Sequence, residues 1–309
     1  MTFPSNILGR IPLRRKQFWV PGAALLLTFL LLLGCSYSFD YLFAGNPALG
    51  VMIDELISFG IPALLVYQLR DDSFPLHLRM ERRKGYYIQY FGFTVKFALT
   101  VSLLSFFANL LVFAITGSSE IALPSIVYGN LLGGQYTMLS FVTIVIVPPI
   151  VEEIYLRGIL FSAMENVAGT KLCIVMSGLC FALLHANPNN LIGPFLAGCA
   201  YAFLSYSFDS LGPAIIAHIV NNLYYYIVNH LVTVYSSFGI WKYFAFINLI
   251  FFLLALYLML RSLTVQIQHD KLRPFRPSIV GFRTALRKLV VNPGFFIFCA
   301  AFLLTVLFA

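Results

Sequence analysis

Residues 142–164 read VTIVIVPPIVEEIYLRGILFSAM, an apolar run interrupted by a proline pair and by Glu152, Glu153 and Arg157. A stretch this apolar is long enough to cross a bilayer, since a hydrocarbon core of about 30 Å needs about 20 helical residues. Ionisable groups at that depth are costly and tend to mark a site rather than a scaffold. Two further apolar runs carry the same signature. Phe181 and His185 read F-x-x-x-H, and His218 and Asn222 read H-x-x-x-N. Three separate segments thus each deliver part of one acid/base set, which points to a buried hydrolytic centre.

The rest of the chain agrees with a membrane setting. Its 309 residues are 60% hydrophobic and 10% charged, against roughly 25% charged in a soluble domain. The fold class is therefore all-α, a polytopic bundle of transmembrane helices. Nine candidate spans lie near 18–38, 49–69, 86–115, 136–164, 171–187, 190–207, 212–234, 241–260 and 290–308. With the N-terminus in the cytoplasm, 17 of the 20 Lys and Arg fall on the inside of this arrangement, Lys171 at the membrane edge included. That asymmetry is what the positive-inside rule requires. The net charge of +8 therefore reads as topology rather than nucleic-acid binding. The first apolar run, after Arg10, Arg14, Arg15 and Lys16, lacks an A-x-A-like cleavage site and is expected to be an uncleaved first span. The basic segment 261–289 is expected to fix orientation, with binding of anionic headgroups as the alternative. Five cysteines stand singly and suggest neither a disulfide framework nor a cysteine zinc site. Three stretches are expected: N-terminal spans over 1–135, a catalytic core over 136–234, and C-terminal spans over 235–309.

Spacing assigns first roles. Glu152 and Glu153 are consecutive on a helix and point about 100° apart. Glu153 precedes Arg157 by four positions, the favourable orientation for a helical ion pair, which leaves Glu152 as the free carboxylate. The alternative is that both glutamates are structural. Pro148-Pro149 is expected to kink or restart the helix and put Glu152 in a first turn. His185 and Glu152 each lie 14 residues from the cytoplasmic end of their helix, a depth of about 21 Å, so two antiparallel neighbours would set them side by side. His218 and Asn222 share one face and can both donate toward a developing oxyanion. His218, however, is about five residues from the Gly212-Pro213 turn, so it should lie shallower than His185 unless that turn sits inside the membrane region or the span tilts strongly. Asn221 is expected to face elsewhere. Asp54 and Glu55 either pair with Lys96 or line a cavity. Gly193 and Ala197 allow close helix contact.

These residues resemble the CPBP family of intramembrane endopeptidases, which includes the type II CAAX prenyl proteases and bacteriocin-processing enzymes. The resemblance covers roughly residues 136–230. It implies that Glu152 and His185 activate water, that His218 and Asn222 hold the oxyanion, and that Glu153 and Arg157 organise the site. It leaves open whether the hydrolase is a metalloprotease or glutamate-dependent. Glu152, His185 and His218 could supply three zinc ligands, but the chain lacks H-E-x-x-H, and metal-free water activation is the reading preferred. The implied setting is a multi-pass protein of a bacterial plasma membrane acting on a peptide or membrane-protein substrate. Two other functions compete: a non-catalytic relative that binds a peptide or sensor as an immunity or regulatory protein, and a proton-coupled transporter. No partner to the broken helix at Pro148-Pro149 supports the transporter.

Overall fold

The structure is a computed structural model that describes residues 16–69, 87–116, 138–187, 190–234, 238–269 and 271–308. Most of the basic segments 1–17 and 70–85, with His77, lie outside the described residues. Every described element is helical. Helix α1 is Lys16–Leu42, α2 is Pro47–Leu69 and α3 is Tyr87–Thr116. The next helix, α4, runs without a break over 138–168 through α-helical and π-helical stretches. It is followed by α5 (Thr170–Leu184), α6 (Ile192–Phe208), α7 (Leu211–Val234) and α8 (Phe238–Gln268). The chain ends in α9 (Phe282–Val290) and α10 (Pro293–Phe308).

Among the described residues, four helices are long and apolar enough to cross a membrane, or five if α9 and α10, bent by 60° at their junction, count as one broken span. This makes the chain a multi-pass membrane protein. The nine-span count goes beyond what helix length and apolarity support among the described residues: α5, α6 and the described apolar part of α1 are shorter apolar helices, and α7 is not among those long and apolar enough. Side chains on the outside of α8, such as Phe246, Phe251, Leu253 and Tyr257, are exposed, as expected of a helix whose outer face meets lipid.

One buried core joins the N-terminal, central and C-terminal stretches. It runs from Ala24, Leu25 and Phe29 through Tyr155, Leu160 and Phe208 to Phe298 and Phe302. Within it α5 and α6 pack closely because Gly178 and Gly198 face each other. A Cβ on Gly198 would come within 2.8 Å of the Gly178 Cα. The close helix contact expected at Gly193 is with α3: a Cβ there would meet the Ser105 Cβ at 3.4 Å, and the Gly193 carbonyl accepts from Ser105 Oγ at 3.3 Å, while Ala197 is buried.

The proline pair does not break α4. Val142–Ile146 is π-helical, and the α-helical stretch Val147–Glu153 restarts with Pro at its first positions. Proline lacks a backbone N–H and crowds the preceding turn, and the π stretch is the local adjustment that meets it. Glu152 therefore sits near the end of this stretch, not in its first turn. A second π-helical stretch, Ile154–Phe161, follows directly.

Candidate active site

The site is the wall of a cavity of about 710 Å³ lined from α1, α2, α3, α4, α5, α6 and α7. Glu152, His185, His218 and Asn222 all line it. Glu153 and Arg157, also expected at the site, lie behind that wall and brace it.

Glu153 and Arg157 are fully buried on consecutive turns of α4, with Arg157 Nη1 donating to Glu153 Oε1 at 2.7 Å. The guanidinium donates again through Nη2 to the Gly198 carbonyl at 2.9 Å. It lies 4.9 Å from the Phe181 ring centroid and 5.4 Å from that of Tyr201. Arg157 thus ties α4 to α5 and α6 through charge, a backbone acceptor and two aromatic faces. This is why Phe181 recurs four residues before His185: it seats the arginine while its own carbonyl serves the histidine.

His218 is also buried, and its Nδ1 lies 3.0 Å from Glu153 Oε1. Its ring stacks on Tyr201 at 4.7 Å and meets Phe181 edge-on. A carboxylate can only accept, so Nδ1 carries the proton and Nε2 is left for the cavity. The turn before α7 is itself buried in the protein: Phe208, Ser210 and Leu211 are all buried. Residues 273–274 cover it. The Arg273 backbone N–H donates to the Ser207 carbonyl, Arg273 Nη1 pairs with Asp209 at 3.0 Å, and Tyr206 donates to the Pro274 carbonyl at 2.8 Å.

His185 stands at the C-terminal end of α5, where the helix stops at Leu184 and Ala186 takes a positive φ of 50°. The expected span over 171–187 is shortened accordingly. His185 Nδ1 lies 2.7 Å from the Phe181 carbonyl. A carbonyl accepts, so Nδ1–H donates and Nε2 keeps its lone pair. The side chain is open to the cavity.

Glu152 is 6% exposed, and its Oε2 has no hydrogen-bond partner among the described residues. A buried carboxylate oxygen without a donor is an expensive group to keep. Here it faces the cavity, where water or a substrate can meet it.

Asn222 is oriented less simply than expected. Its Nδ2 donates to the Ile144 carbonyl at 3.0 Å, on the π-helical stretch before the prolines. That bond fixes the amide and leaves one of its two N–H groups for another acceptor. Asn221 does not face away. It lines the cavity too, accepting from Ser102 Oγ at 2.9 Å.

Asp54 and Glu55 line the same cavity, and Lys96 donates to Ser262 at 2.9 Å. The signal for Glu55 was in the spacing. Ala48, Phe59, Pro62 and Val66 are the buried face of α2, and Glu55 falls seven after the first and four before the second, on the same stripe. Phe59 packs edge-on against Tyr155 of α4 at 5.7 Å, so that stripe faces the site. Tyr225 also lines the cavity, 7% exposed.

The zinc ligand set does not fit as placed. Among the described residues, no three His, Cys, Asp or Glu side chains converge closely enough to hold a metal ion.

No curated protein and no solved structure matches the chain. A protein-family comparison does find a match, and it covers the helices that carry Glu152, Glu153, Arg157, His185, His218 and Asn222. Residues 134–224 are similar to the Rce1-like family, the type II CAAX prenyl endopeptidases.

Proposed function

We propose that the chain is an intramembrane endopeptidase that hydrolyses a peptide bond of a membrane-associated peptide or protein. The observation that supports this most directly is that Glu152, His185, His218 and Asn222, from three helices, line one cavity. In this reading Glu152 takes a proton from water as the water oxygen attacks the scissile carbonyl carbon. His185, its Nδ1–H held by the Phe181 carbonyl, accepts a hydrogen bond from the same water through Nε2. The carbonyl oxygen becomes an oxyanion held by the remaining Asn222 N–H and by His218. To donate from Nε2, the His218 ring carries both protons, a charge that Glu153 opposite stabilises. When the carbon–nitrogen bond breaks, the proton held by Glu152 passes to the leaving amine. Glu153 and Arg157 hold these groups in place without touching substrate.

The non-catalytic reading is disfavoured because a pure binder does not need Glu152 and His185 together on one cavity wall. The test is cleavage of a quenched peptide library by the purified protein in liposomes. Wild type, Glu152→Ala and His185→Ala are compared with and without chelator. Cleavage by wild type, lost in both folded variants, supports the reading, and loss on chelation would show metal dependence. Equal cleavage by either variant would refute the assignment of that residue.

A further inference from the structure

We propose that Asn190 and Tyr225 form a subsite for the substrate backbone. The Asn190 carboxamide oxygen accepts from a backbone N–H of the peptide, and the Tyr225 hydroxyl donates to a backbone carbonyl, three or four residues from the cleaved bond. This rests on the endopeptidase reading and extends it to how the substrate is held.

Both residues line the cavity. Both are more than nine-tenths buried, with Asn190 4% exposed and Tyr225 7% exposed. Asn190 Oδ1 and the Tyr225 hydroxyl each have no hydrogen-bond partner among the described residues. Buried polar atoms are normally paired, and one left without a partner costs the desolvation it has undergone. Two of them in one cavity mark a place where a ligand supplies the bonds. Their chemistry is complementary, since a carboxamide oxygen accepts and a phenol hydroxyl can donate. Together they match the N–H and the C=O that a peptide backbone carries whatever its side chains. Neither group is used in activating water or in holding the oxyanion.

The helices fix where this subsite stands relative to the chemistry. Helix α6 ends at Phe208 and α7 starts at Leu211, so the two run back along each other from a two-residue turn. Tyr201 lies seven residues before that end and His218 seven after that start, and their rings stack at 4.7 Å. Gly193 precedes Tyr201 by eight residues, and a Cβ there would come within 3.2 Å of Asn190 Oδ1. Tyr225 follows His218 by seven. At 1.5 Å rise per residue, both groups therefore stand about 10–12 Å from the Tyr201–His218 level, on the same side of it. His218, Asn222 and Tyr225 also recur at intervals of four and three, which keeps them on one stripe of α7. An extended chain advances about 3.3 Å per residue. A peptide with its scissile carbonyl at His218 and Asn222 thus brings its third or fourth residue to Asn190 and Tyr225.

The test uses the full chain in nanodiscs, carrying Glu152→Gln so that peptide binds without turnover. Binding of a labelled peptide selected from the quenched library is read by fluorescence anisotropy, and each peptide bond is replaced in turn by an ester, which removes one N–H. One replacement, three or four residues from the bond that wild type cleaves, should weaken binding about three- to tenfold, the yield of one hydrogen bond. In the same background Asn190→Ala should weaken the all-amide peptide by that factor and erase the sensitivity at that position. Asn190→Asp, which keeps an acceptor, should preserve it. Tyr225→Phe should weaken every peptide about three- to tenfold and leave the sensitive position where it is. Thermal unfolding of Asn190→Ala should match that of its parent, since Oδ1 holds no bond in the protein; a drop of several degrees would make the residue structural and overturn the assignment. A flat ester scan, a sensitive position that survives Asn190→Ala, or unchanged binding by Tyr225→Phe overturns the subsite and leaves the endopeptidase reading standing. A sensitivity that Asn190→Ala removes upholds the subsite even if wild type cleaves nothing, and then the catalytic reading fails alone. Binding of no peptide at all overturns both.

Discussion

Arg157 and Glu152 are both charged groups in an apolar setting, and the structure gives them opposite requirements. Arg157 is satisfied from several sides, so removing it strands Glu153 in a buried place with only His218 as partner. Arg157→Ala is expected to cost about 3–5 kcal/mol, as loss of one member of a buried pair does. Arg157→Lys should recover only part of this, because an ammonium cannot span Glu153, Gly198 and two rings as a planar guanidinium does. Thermal unfolding in detergent checks both. Glu152→Gln should leave the unfolding temperature near that of wild type, since no protein donor is lost. The pair was legible in sequence because i and i+4 on a helix must meet. The Glu153–His218 contact was not, since nothing local to either residue announces a partner 65 positions away.

At the scale of elements, the site depends on how closely α5 and α6 approach. Gly178 leaves no room for a methyl group: its Cβ would meet the Phe195 carbonyl at 2.8 Å and the Cys199 side chain. Gly178→Ala should therefore push the helices apart. We expect a loss of about 1–3 kcal/mol in thermal stability, the usual cost of overpacking, and lower peptidase activity, because Phe181 and His185 ride on α5. Unchanged stability would mean that the helices can part without consequence. The helices themselves were legible as apolar runs, and their approximate positions followed. Their ends were not, since His185 sits just past the end of α5 and the turn before α7 is buried under a segment over 60 residues later. The π-helical stretches were equally hidden. The proline pair marked a disturbance, but only the packed structure shows that the chain absorbs it without breaking the helix.

For the molecule as a whole, the basic segments set an orientation that helix geometry alone does not. The distribution of Lys and Arg predicts that residues 70–85 and 261–289 face the same compartment as the N-terminus. Single cysteines introduced at Ser73 and Ser278, in a background without the five native ones, should react with an impermeant thiol reagent only from the cytoplasmic side. Labelling of the two positions from opposite sides would contradict this topology. Sequence alone found the catalytic candidates because ionisable residues are rare in apolar runs and stand out there. It placed Asp54 and Glu55 less well, because whether an acid meets a lysine or a cavity is decided by tertiary packing of α2 on α4.

The most direct test of a Glu152-activated water is to cleave a peptide in water enriched in heavy oxygen and weigh the products. Wild type should place one heavy oxygen in the new carboxyl terminus, and Glu152→Gln, folded and still binding peptide, should yield product at least about a hundredfold more slowly. Cleavage by Glu152→Gln at the wild-type rate, or product without the heavy oxygen, would contradict the account.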